Sequence, residues 1–116
     1  MTPKRSRKSG KPAERDIVTE ALIWNGVTID VAYEADCLNS SEGSFPTSHL
    51  AITSVAPERE PLPITETGYR SHFLAPGIVE EAGGPASYVR AWLDHEAKSP
   101  AWHKVEQERR QLDLFG

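Results

Sequence analysis

Thr19-Glu20-Ala21-Leu22-Ile23-Trp24-Asn25-Gly26-Val27-Thr28-Ile29-Asp30-Val31-Ala32-Tyr33 reads as two strands joined by a two-residue turn. Asn-Gly supplies the two positive-φ positions that a type I′ turn needs, and that turn matches the right-handed twist of the strands it joins. The second arm puts Val27, Ile29, Val31 and Tyr33 on one face and Thr28, Asp30 and Ala32 on the other. That period of two is the signature of a strand with one covered face.

Outward from this hairpin, Glu34 to Ser48 is dominated by turn formers and is expected to be a loop. A third strand is predicted over His49 to Val55, with Leu50, Ile52 and Ser54 alternating against Ala51, Thr53 and Val55. Pro57, Pro61 and Pro63 then bar regular pairing. Gly68 can make a tight turn into a short fourth strand, with Tyr69, Ser71 and Phe73 on one face and Arg70, His72 and Leu74 on the other.

Gly83-Gly84-Pro85 opens a helix, since proline is favoured at the first helical position. From Ala86 to Lys98 the residues Tyr88, Val89, Trp92, Leu93 and Ala97 form one apolar stripe. Ser99-Pro100 repeats the start signal, and a second helix is expected from Ala101 to about Arg110 with Trp102 and Val105 inward. The expectation is a small α+β domain over residues 16–110, a mostly antiparallel sheet of three or four strands covered by one or two C-terminal helices.

Glu66, Tyr69, Arg70, Ser71 and His72 make the densest polar cluster, and each can act as acid, base or oxyanion partner. They arise from one local segment, whereas catalysis usually gathers groups from separate elements around a cavity. Glu66, Tyr69, Arg70 and His72 are therefore candidates for a ligand or partner surface, or for fixing the turn. A small enzyme built on Thr65 to His72 is the alternative. Cys37 is the lone cysteine, and none of His49, His72, His95 and His103 pair at His-x-x-x-His spacing, so no metal or cofactor is expected.

Charge is segregated along the chain. In residues 1–15 six basic side chains against Glu14 leave +5; the remaining seven basic and sixteen acidic residues leave −9, giving the formal net charge of −4. Lys4, Arg5, Arg7, Lys8 and Lys11 are candidate nucleic-acid contacts on a flexible basic arm, because each cation near a phosphate releases a counterion. The bland alternative is a solvated leader. The acidic remainder also fits a DNA mimic, an anti-defence inhibitor of a host nuclease. No apolar run is long enough to span a bilayer and no apolar stretch follows the first basic residues, so a cytoplasmic protein is expected.

The chain closes on Gln111-Leu112-Asp113-Leu114-Phe115-Gly116, residues 111–116. Gln-Leu-Asp-Leu-Phe resembles the pentapeptide with which bacterial replication and repair proteins bind the DNA polymerase sliding clamp. The resemblance implies that Leu114 and Phe115 enter an apolar pocket on the clamp, that Gln111 is held by hydrogen bonds, that Leu112 supports them and that Asp113 is a spacer. It also implies a non-enzymatic accessory or regulatory protein of DNA replication, and its brevity and composition suit a phage- or plasmid-encoded one. On a helix, however, Leu112 and Phe115 would share a face and could fold back on the domain's own core.

Overall fold

The computed structural model describes residues 16–37 and 47–115, the last four of these by backbone alone. It is an α+β domain: four antiparallel strands in the order β1 (Ile17–Trp24), β2 (Val27–Glu34), β3 (Ser48–Ala56) and β4 (Tyr69–Leu74), followed by α1 (Ile78–Glu81), α2 (Pro85–Glu96) and α3 (Pro100–Phe115). The hairpin pairs Trp24 with Val27 and Ile17 with Glu34. Asn25 and Gly26 both take positive φ, 51° and 80°, as the I′ turn requires.

Neighbouring strands bring one face of each into register. Leu22, Ile29 and Ser54 lie in one row, while Ile52 pairs with Arg70 and Leu50 with His72. The inner face buries Ile29, Val31, Leu50 and Ile52 completely, and α2 covers it with Val89 and Leu93, also fully buried. Burying a side chain of this size contributes about 1.5–3 kcal/mol, so this layer supplies most of the domain's cohesion.

Helix α2 is also fixed to β1 by three polar links. Pro85 at its first position has no N–H to satisfy, and Gly84 before it has no side chain to cap the next one. Glu20 of β1 does so instead: its Oε1 accepts the Ala86 amide at 2.9 Å. Arg90 Nη1 donates to the Ile23 carbonyl at 3.2 Å, and the Trp24 indole donates to Asp94 Oδ1 at 2.8 Å. Residues 86, 90 and 94 recur every four positions, which places them on one side of the helix.

Helix α3 starts where the sequence predicts, with Ser99 Oγ accepting the Trp102 amide at 3.1 Å. It runs to Phe115, five residues past the expected end near Arg110. Its charged second half is largely exposed but touches the body at two points, where Glu106 accepts from Asn25 at 3.5 Å and Arg109 forms an ion pair with Glu60. The short helix α1 has no counterpart among the elements that the sequence predicts. Glu80 on it accepts a hydrogen bond from the Tyr33 hydroxyl at 2.6 Å, pinning it to β2. Among the described residues no helix is long and apolar enough to cross a membrane.

Leu93→Ala is expected to lower unfolding free energy by about 2–5 kcal/mol in urea titrations. Ile23→Ser, on the open face, should change it by less than about 0.5 kcal/mol. Equal changes for the two variants would contradict the assignment of inner and outer faces.

Candidate functional site

Strand β4 divides the predicted polar cluster between the two faces of the sheet. Its pleat sends Arg70 and His72 toward α2 and Tyr69 to the opposite side. Glu66 lies exposed in the preceding turn. The four residues therefore do not converge on one pocket.

On the helix side, β4 and α2 build an aromatic cluster. The His72 ring centroid lies 4.5 Å from that of Trp92, and the ring stacks on Tyr88 at 6.4 Å. The Arg70 guanidinium sits 5.3 Å above Trp92, a cation–π geometry, while its Nη1 donates to the Ile64 carbonyl at 3.0 Å. Burial, then the nearby Arg70 charge, then His49 hold the His72 imidazole below its ordinary pKa. Each of these causes disfavours a second positive charge. Arg70 thus fixes the turn before β4, one of the two roles open to it in the sequence.

That turn satisfies itself locally. Thr65 Oγ1 donates to the Tyr69 carbonyl at 2.8 Å and lies 3.2 Å from the Thr67 amide, which donates to it. Gly68 takes φ +81°, and a Cβ there would stand 2.6 Å from the Arg59 backbone, so a side chain has no room. Between residues 61–66 and α3 lies a groove of about 680 Å³, lined by Leu62, Ile64, Glu66, Arg70, Trp102 and Val105. A smaller one of about 290 Å³ flanks Trp102 on its other side, between Trp24, Glu60 and Arg109. The buried Trp102 indole N–H finds no hydrogen-bond partner among the described residues.

On the open side, Tyr69 and Phe73 are 51% and 59% exposed, although both belong to a strand of the sheet. His49 of β3 lies beside them: its ring centroid is 4.6 Å from Phe73 and its Nε2 is 2.7 Å from Ser71 Oγ. The sequence placed Tyr69, Ser71 and Phe73 on one face but named neither Phe73 nor His49 as functional. Both faces of β4 carry aromatics, so alternation alone does not say which is covered.

The terminal motif begins at Gln111, which is exposed on α3. Leu112, Asp113, Leu114 and Phe115 occupy the last turn of that helix, and their side chains lie outside the described residues. Lys4, Arg5, Arg7, Lys8 and Lys11 also lie outside them.

The depressed His72 pKa has a consequence for stability. The unfolded chain takes up a proton near the ordinary value of 6.5, whereas the folded one resists it until lower pH. Folding stability contributed by this site is therefore complete above about pH 6.5 and falls as the pH drops through the folded value. Urea midpoints measured across that window should show a slope that His72→Gln reduces; an unchanged slope would contradict the burial of a neutral imidazole.

No curated protein and no solved structure matches this chain. The family described as the KlcB third domain matches it over residues 17–102, from β1 through the first turn of α3. The match takes in the whole sheet, α1 and α2 and stops ahead of the terminal pentapeptide. By that match, this chain belongs to the KlcB third-domain family.

Proposed function

We propose that this protein docks on the bacterial DNA polymerase sliding clamp through Gln111, Leu112, Asp113, Leu114 and Phe115, as a non-enzymatic accessory or regulatory factor of a phage or plasmid. The reading rests on the pentapeptide itself, at the end of a helix where Gln111 is exposed. The Arg109–Glu60 ion pair ties α3 to the body two residues before that glutamine. The domain therefore acts as a holder and the last turn as the ligand.

A helix end leaves its final carbonyls without intrahelical partners, and such turns open at low free-energy cost. An extended clamp-bound conformation is thus accessible to residues 111–115 from the helical one. Ordering a short peptide costs about 1–2 kcal/mol per residue, which sets a weak to moderate affinity for a single copy. A ring with repeated pockets raises the effective affinity of any multivalent partner. The basic arm, with its five cations between Lys4 and Lys11, would meet the DNA that passes through such a ring.

Calorimetric titration of purified clamp with the wild type should give a saturable heat. The Leu114→Ala/Phe115→Ala variant should bind at least about tenfold more weakly, the loss expected when two apolar anchors leave a pocket. Equal heats for the two proteins would end the proposal.

A further inference from the structure

The sheet has two edges, β1 and β4, and an edge strand turns half of its amides and carbonyls away from its neighbour. On β4 that edge is short and partly closed. The Ser54 amide donates to the Gly68 carbonyl at 2.8 Å, so by the antiparallel alternation Tyr69, Ser71 and Phe73 are the residues whose backbone groups point outward. The hydroxyls of Thr65 and Thr67 already bond those of Tyr69.

On β1 the edge is longer. Trp24 and Val27 close the two-residue turn as a hydrogen-bonded pair, so Ile17, Thr19, Ala21 and Ile23 direct their amides and carbonyls away from β2. Of these groups only the Ile23 carbonyl has a partner among the described residues, the Arg90 guanidinium. Natural edges are commonly blunted by proline, lysine or a bulge, and Ile17–Trp24 has none of them. It carries instead three large exposed aliphatic side chains, Ile17, Val18 and Ile23.

A strand of this make-up matches itself. When two copies of β1 run antiparallel about a two-fold axis at Glu20, Ile17 of each faces Ile23 of the other, Thr19 faces Ala21 and Val18 faces Leu22. Every outward amide then meets a carbonyl, the Ile23 oxygen accepting on its second lone pair. Trp24 falls opposite Asp16, the exposed residue before β1, on the side of the sheet that carries α2. Asp16 of one copy therefore comes beside Arg90 of the other, at the edge where that guanidinium holds the Ile23 carbonyl. Glu20 meets its own copy across the axis, but each carboxylate keeps its bond to the Ala86 amide in the first turn of α2, where the helix dipole favours negative charge. Moving the axis to Ala21 sets Ile23 against Thr19 and Ile17 against the turn residue Asn25, and separates Asp16 from Arg90.

We propose that β1 is the pairing edge for a second copy of this chain, joining two four-stranded sheets into one continuous sheet. An interface of one strand per partner is small, so the dimer forms at about 0.1 mM and above and the chain is monomeric at low micromolar concentration. The inference uses neither the terminal pentapeptide nor the clamp, so either reading can fail alone.

Sedimentation velocity of the full chain from about 1 μM to about 1 mM should show monomer giving way to dimer. Ala21→Pro removes only an outward amide and leaves the β1–β2 ladder whole, as proline on a sheet edge does. It should weaken the dimer at least about tenfold, because the two-fold axis repeats the loss. Its circular dichroism and its urea midpoint at low micromolar concentration should match the wild type, which separates lost pairing from lost fold. Asp16→Arg should weaken the dimer about threefold or more, and adding Arg90→Asp should recover part of that loss. A chain that stays monomeric at about 1 mM, the outcome if this edge serves an extended segment of a different protein, would overturn the assignment. So would an Ala21→Pro variant that dimerises like the wild type, or a charge-reversed pair that binds no better than Asp16→Arg alone.

Discussion

The contact on which the arrangement depends is the seam between β1 and α2. Leu93 and Val89 seal the inner face of the sheet, but apolar packing alone leaves a helix free to slide along its groove. Glu20, the Ile23 carbonyl and Trp24 remove that freedom by engaging Ala86, Arg90 and Asp94. The Glu20 link is the most constraining of the three. It supplies a cap that Gly84 and Pro85 do not, and such a cap contributes about 0.5–2 kcal/mol. With α2 fixed, Ser99 sets the start of α3, and Trp102 comes to rest 6.3 Å from Trp24 between ring centroids. The direction of the C-terminal helix is thus a consequence of a glutamate near the other end of the chain.

The same seam makes the sheet one-sided. All packing by α2 falls on the inner face, so each strand has a side toward the helix and a side away from it, and β4 uses both. Arg70 and His72 work inward, closing the turn and the aromatic cluster with Trp92. Tyr69 and Phe73 look outward from the same six residues. A polar segment that looks like one site in sequence is therefore two surfaces with different chemistry. The inward one is occupied with structure, and the outward one retains accessible rings.

Much of this architecture was legible in the residue order. Asn25-Gly26 located the hairpin, the alternation of β2 and β3 identified their buried rows, and Gly68 located the turn into β4 where the structure has it. Ser99-Pro100 marked the start of α3 because a hydroxyl cap acts locally. What remained hidden is long-range. Glu20 caps a helix 66 positions away, and nothing in the sequence near either residue announces that partnership. Helix α1 is four residues long, too short to show a period, and is held by a Tyr33–Glu80 bond across the fold. The Arg109–Glu60 ion pair that joins α3 to the body leaves no pattern in either segment. The split of the polar cluster was half visible: the alternation of β4 was clear, but which face α2 would cover was not. The terminal pentapeptide is recognisable only as a motif, and the proposed reading of it lies in a partner rather than in the domain.

Hydrogen exchange of two protons tests the β1–α2 seam most directly: the Ala86 amide held by Glu20 and the Trp24 indole N–H held by Asp94. If the seam organises the domain, both exchange at the slow, global rate of the β2–β3 amides such as Val31 and Ile52, and Glu20→Ala accelerates the pair while the sheet amides stay coupled to one another. Exchange of both protons at rates typical of an open surface, with the sheet fully protected, would contradict that role for the seam.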